Sequence, residues 1–181
     1  MSHVQLIETA SASPDSKALL EQIHHTFGVT PNMFRAVANS PAALKSMWGS
    51  FGALGNGTIP AKLGEKIAVA IADRNRCEYC LAAHTFLGKN AGATAQDMAA
   101  AQAGRSDDPK TDAAIKFALK VVADRAQIKA ADVAALRAVG FTDENIVEIL
   151  AHVALNLFTN YVNVAFDVPV DFPTVKLNAV D

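Results

Sequence analysis

The sequence is short of the features that mark several functional classes. Only two of its 181 residues are cysteine, so the disulfide framework that staples small secreted domains cannot form. Lys and Arg (16) nearly balance Asp and Glu (18), the formal net charge is -2, and both signs are spread along the chain. No basic stripe is present to release counterions from a nucleic acid, and no nucleic-acid partner is expected. The longest aliphatic stretches, such as Ile67 to Ala72, fall far below the ~18 residues of a membrane span. The start, MSHVQLIETA, lacks a basic region followed by an apolar one. No membrane partner is expected, and the chain reads as soluble and cytoplasmic. Glycine (10) and proline (7) act as punctuation, and no linker or low-complexity tract divides the chain. It reads as a single domain over 1–181.

What is abundant is alanine, 35 residues of it, in a composition that is 51% hydrophobic. Apolar residues recur at helical spacing and not in alternation, which predicts an all-α protein. Ser13-Pro14, Thr30-Pro31, Ser40-Pro41 and Asp108-Pro109 read as helix starts, and Ile59-Pro60 places proline the same way without a polar cap. The periodicity between these marks predicts helices near 14–27, 31–38, 41–54, 60–74, 77–90, 95–103, 109–125, 129–139 and 143–165. Beyond them Pro169 and Pro173 forbid a continued helix, so 166–181 is expected as an extended strap on a core of about 27–165. The stretch Lys89 to Asp97 resembles Arg137 to Asn145, each ending a helix at glycine and restarting one at threonine, which leaves an internal helical repeat open.

Chemistry concentrates between Glu65 and His84. Cys77, Cys80 and His84 stand at i, i+3 and i+7, so a helix beginning near Cys77 projects all three from one face. A cysteine in a first helical turn feels the positive end of the dipole and unpaired N–H groups, which favour thiolate, and an imidazole one turn on can share its proton. Arg74 and Arg76 add positive potential but read first as solvated. Glu65 lies 12 residues before Cys77, and a break at Asp73 to Arg76 would fold it back. A carboxylate beside the pair would serve acid–base work, although spacing alone favours a glutamate that complements its helix dipole.

Other readings of Cys-x-x-Cys meet obstacles. Structural zinc needs four ligands, and Cys77, Cys80, His84 and Glu65 would be an odd set. Haem attachment needs histidine where the chain has Leu81. A thioredoxin scaffold needs a strand before Arg74, and none is predicted.

The pattern Glu65-x11-Cys77-x2-Cys80-x3-His84, with Ile59-Pro60, Asn75 and Ala83 around it, resembles the alkylhydroperoxidase D (AhpD)-like, carboxymuconolactone decarboxylase-like superfamily. The likeness covers about Phe27 to Ala91. The ending, from Asn160-Tyr161-Val162-Asn163 through Asp171-Phe172-Pro173, looks like its peroxidase-related branch. The resemblance implies an all-α fold, often with a repeated helical unit, assembled as a homotrimer or homohexamer. It implies Cys80 as peroxidatic cysteine, Cys77 as the resolving one, and Glu65 and His84 as proton relay, with no cofactor and no metal. Tyr79 stands where some alkylhydroperoxidases carry a second histidine. The expected activity is a thiol-dependent peroxidase acting on a hydroperoxide, its disulfide then reduced by a lipoyl- or thioredoxin-like dithiol partner. A thiol–disulfide oxidoreductase without peroxidase activity is one alternative, and a non-catalytic oligomeric redox-sensing or binding protein is another.

Elsewhere Glu148, His152, Asn156, Asn160 and Asn163 share a stripe of the last helix, which could line a pocket or subunit interface but reads first as a satisfied structural network. Glu148 and His152 lack further metal ligands. His24 and His25 are expected on the surface, His3 in a mobile terminus, and Trp48 and Phe51 in the core or an interface in preference to a substrate cage.

Overall fold

The computed structural model describes residues 2–179; positions 1, 180 and 181, part of the expected domain and strap, lie outside the described residues. Among those residues the chain is all-α, with nine α-helices and no strand: α1 (Pro14–Phe27), α2 (Asn32–Val37), α3 (Pro41–Gly55), α4 (Ala61–Arg74), α5 (Glu78–Asn90), α6 (Ala95–Gln102), α7 (Pro109–Ala123), α8 (Ala130–Ala138) and α9 (Asp143–Ala165). A short 3-10 turn at Thr9–Ser11, which no punctuation announces, precedes them.

Local chemistry sets most of the boundaries. Ser13, Ser40 and Asp108 each accept the backbone N–H three residues on, with proline at the first helical position. Pro31 and Pro60 differ: each is itself the capping residue, so α2 and α4 begin one residue later than the dipeptides suggest. A proline cap offers no side-chain acceptor, and distant carboxylates serve instead. Asn32 N–H donates to Asp171 at 2.7 Å. Just before α4, Glu148 Oε2 accepts the Thr58 N–H (2.7 Å), the Thr58 hydroxyl (2.9 Å) and the Ile59 N–H (3.0 Å). The two similar stretches build the same junction, with Gly92 and Gly140 at φ +85° and +86° followed by capping boxes Thr94–Asp97 and Thr142–Asn145.

The central element is α4, which packs on α5, α6, α7 and α9. Its run from Lys66 to Ala72 is buried on every side. Ala68, Ala70 and Ala72 let neighbours approach closely, while fully buried Ile67 and Ile71 each contribute about 1.5–3 kcal/mol. The polar member, Lys66, is 5% exposed and pairs with Asp97 at 2.8 Å. The Lys66 ammonium, helped by the Thr94 N–H, holds the Asp97 carboxyl well below the usual carboxylate range. With the folded value the lower one, this contribution is fully present above the ordinary carboxylate pKa and is lost as pH falls through the folded one. Asp97→Ala leaves a buried ammonium unpaired and removes half of a capping box. The expected loss is about 3 kcal/mol, read as an earlier denaturant midpoint with an unchanged slope.

The ends of the chain wrap this bundle. Residues 167–179 run without helix over one face, where Asn178 N–H donates to Asp73 (2.9 Å), Arg76 to the Asn178 carbonyl (2.6 Å) and Gln102 to the Lys176 carbonyl (2.8 Å). His3 is exposed but not loose. Its N–H donates to the Phe166 carbonyl at 2.7 Å and its Nδ1 meets the Ala165 carbonyl at 3.0 Å, so the end of α9 corrects the expectation of a mobile terminus.

Candidate functional site

The site begins with how α4 stops. Arg76 adopts φ +57°, and the Cys77 N–H reaches back to the Ala72 carbonyl at 2.9 Å, the long bond of a Schellman turn. The chain reverses there, and Cys77 becomes the cap of α5: its sulfur accepts the Cys80 N–H at 3.3 Å. Cys80 is therefore in the first turn. Both thiols are free, at 1% and 2% exposure.

The reversal lays α5 along α4 and puts His84 Nδ1 2.7 Å from Glu65 Oε2. Glu65 is thus not the idle first-turn glutamate that its spacing favours. Gly88, one turn beyond His84, permits the approach, because a Cβ there would stand 3.3 Å from the Glu65 Cβ and overlap Met98. Burial works against a charged His84, but the Glu65 carboxylate and its hydrogen bond outweigh it and raise the imidazole above its ordinary value.

The two thiols are driven apart. Burial pushes Cys80 up, yet the Cys77 thiol hydrogen bond, the His84 charge and the Asn163 and Asn160 amides outweigh it and bring Cys80 down to about 7. Cys77 moves the other way, because its hydrogen bond to Cys80, burial and the adjacent sulfur charge all favour its protonated form. One sulfur of the pair ionises near neutral pH and the other stays a proton-bearing thiol. That is the division of labour that an attacking and a resolving cysteine need.

The α9 stripe is divided among three tasks. Asn163 Nδ2 donates to Cys80 Sγ at 3.2 Å, and Asn160, fully buried, accepts from Asn75 at 3.0 Å. Asn156 donates to the His152 carbonyl, and Glu148 clamps the entry to α4. The reading of the stripe as structural therefore holds for Glu148 and Asn156 and fails for Asn163, which touches the sulfur. The i, i+3 spacing of Asn160 and Asn163 was the available signal. The arginines stand elsewhere: Arg74 is exposed and Arg76 holds the C-terminal strap.

Two cavities flank His84. A chamber of about 40 Å³ reaches Cys80 and His84 between Phe27, Met33, Phe34 and Phe172. A second, of about 140 Å³, lies behind, against Glu65, His152 and Asn156. Phe51 and Trp48 both pack on the core edge-on to Phe34, as expected; Phe51 also lines both cavities and Trp48 lines neither. His24 and His25 are exposed and line neither cavity.

Residues 41–124 match the model of the Carboxymuconolactone decarboxylase family. An alkylhydroperoxidase AhpD core structure, a peroxidase-related protein from Ralstonia eutropha, superimposes with a TM-score of 0.86 at 26% identity, covering 94% of this chain and 92% of that one. The fold is AhpD-like, and residues 41–124 are similar to the carboxymuconolactone decarboxylase family. A peroxidase-related protein from Silicibacter sp. follows at TM-score 0.80 and 24% identity, covering 93% and 91%. The debrominase Bmp8, as a cysteine-to-alanine variant in complex with 2,3,4-tribromopyrrole, gives 0.79 at 21% identity, covering 94% of each chain. These last two bear on the fold alone. No curated protein matches the chain.

Within this AhpD-like frame the departure at Tyr79 has a physical account. Its hydroxyl accepts the Met33 N–H at 3.2 Å, and its ring packs edge-on against Phe172, 5.7 Å between centroids. Burial and the nearby Asp171 charge hold the phenol protonated. Tyr79 fastens α2 and the strap to the thiol-bearing turn and keeps its proton at neutral pH.

Proposed function

We propose that this protein is a thiol-dependent peroxidase that reduces hydroperoxides through a Cys77/Cys80 dithiol cycle. The observation that carries the reading is a single buried sulfur, Cys80, brought to about 7 beside a proton-bearing thiol and a Glu65–His84 pair. The Cys80 thiolate attacks the terminal peroxide oxygen, the S–O bond forms and the O–O bond breaks. The departing alkoxide takes a proton from the His84 imidazolium, leaving a sulfenic acid and an alcohol. The Cys77 thiol then attacks the Cys80 sulfur, the S–S bond forms, and hydroxide leaves with the Cys77 proton as water. Cys77 already caps the turn that bears Cys80, so closure asks little of the backbone. A lipoyl- or thioredoxin-like dithiol partner restores both thiols.

The test is stoichiometric. Fully reduced protein mixed with cumene hydroperoxide is expected to consume about one peroxide per chain while losing both thiols, and to recover them with dihydrolipoamide. Thiols that survive excess peroxide but exchange with a disulfide reagent would turn the reading into a thiol–disulfide oxidoreductase. Thiols inert to both would leave a non-catalytic protein.

A homo-oligomer, trimer or hexamer, is part of the same proposal. It draws support from α9, where Val147 (66%), Tyr161 (63%) and Val164 (51%) expose apolar side chains. Sedimentation equilibrium reads the mass directly. No helix among the described residues is long and apolar enough to cross a membrane.

A further inference from the structure

Four buried side-chain polar atoms among the described residues have no partner within hydrogen-bond distance, and two of them belong to the asparagines beside Cys80: Asn163 Oδ1, and Asn160 Nδ2, whose amide favours the Cys80 thiolate from beyond that distance. Both residues are deeply buried, at 0% and 4% exposure, and sit one turn apart on α9. Their other amide atoms are occupied. Asn160 Oδ1 is fixed by Asn75, the residue that ends α4, and Asn163 Nδ2 is fixed on the sulfur. An orphaned buried donor or acceptor is costly, and a fold that keeps one of each beside a single reactive atom calls for an explanation. A sulfenic acid supplies it. Its oxygen accepts a hydrogen bond and its O–H donates one, which are the two functions left open, and the free oxygen of Asn163 is on the amide already touching the sulfur.

We infer that Asn160 and Asn163 form an amide cage that holds Cys80 as thiolate before the reaction and as sulfenic acid after it. Asn163 donates to the sulfur in the resting state. Once the S–O bond has formed, Asn160 Nδ2 donates to the new oxygen and Asn163 Oδ1 accepts its proton, so both orphaned atoms are satisfied in the oxidised form. The cage keeps the oxygen in place until Cys77 displaces it. The second half of this inference rests on the peroxidase reading; the first does not.

Two measurements separate them. Iodoacetamide alkylation of Cys80 followed against pH needs no peroxide: its midpoint is expected to rise by about one pH unit in Asn163→Ala, and further in the near-isosteric Asn163→Asp, which replaces the donor by a carboxylate. In a Cys77→Ser background, where no thiol resolves the product, one equivalent of hydroperoxide followed by delayed dimedone gives the sulfenic acid lifetime. That lifetime is expected to shorten about tenfold on adding Asn160→Ala. Unmoved midpoints in folded Asn163→Asp overturn the thiolate half, and an unchanged lifetime overturns the oxygen-holding half. If Cys77→Ser yields no sulfenic acid at all, the peroxidase reading itself fails, the oxygen-holding half falls with it, and the midpoints decide the thiolate half alone.

Discussion

Cys80→Ser is expected to lower the rate of hydroperoxide consumption by at least about 1000-fold, while Cys77→Ser is expected to retain the first turnover and lose every later one. The asymmetry follows from environment. A serine hydroxyl at position 80 has no accessible anion at neutral pH, whereas the Cys80 thiol at about 7 is roughly half thiolate there. Cys77 cannot replace it, because its hydrogen bond to Cys80, its burial and the adjacent charge keep it a thiol. Serine at 77 still offers a hydroxyl to cap α5 and to donate toward Cys80, so attack proceeds and stops at the sulfenic acid. Stopped-flow peroxide loss, with mass spectrometry of the product, checks both halves. A single oxygen added to Cys77→Ser is the expected mass change, and a disulfide-linked loss of two hydrogens is the expected change in the parent protein. Retained consumption in Cys80→Ser with none in Cys77→Ser would exchange the roles of the two residues.

The fold was legible because its punctuation is local. Proline after Ser13, Ser40 and Asp108, and glycine before the capping threonines 94 and 142, act within one turn and place five helix starts, and all nine helices among the described residues fall within two residues of their expected bounds. Pro31 and Pro60 offer no side-chain acceptor, and the carboxylates at those two helix entries, Asp171 on Asn32 and Glu148 on Thr58 and Ile59, lie 139 and about 90 residues away, which no window sees. The site divides along the same line. Cys77, Cys80 and His84 share one helix end, and their spacing suffices to bring them to one face. Glu65 meets His84 only because the chain reverses through a left-handed Arg76, where the common signal would be glycine. Asn163 reaches Cys80 across 83 residues, and Phe172 enters the chamber wall from a strap that carries no periodicity. Residues that do chemistry within one element were visible. Those contributed by a second or third element depended on packing, and the polar stripe of α9 told only that something polar had to be met inside.

Glu65→Gln is expected to cost about 100-fold in peroxidase rate at neutral pH, within the usual range for removing one acid–base group, and to change the shape of the pH profile as well as its height. In the parent protein the active form pairs a Cys80 thiolate with a His84 imidazolium. The rate should rise with pH as Cys80 ionises near 7 and fall as His84, raised by Glu65, loses its proton. Glutamine keeps the shape of the side chain and can still hydrogen-bond Nδ1, but it removes the negative charge that offsets the burial of His84. His84 then gives up its proton at lower pH, and Cys80, deprived of a neighbouring cation, ionises at higher pH. The two limbs move toward each other and the bell collapses, because fewer molecules hold both charges at any pH. A residue that only positioned the imidazole would lower the rate without moving either limb. The rate measured from pH 5 to 9 therefore distinguishes the two, and a Glu65→Gln profile of unchanged width would assign the carboxylate to positioning and leave His84 to manage the proton alone.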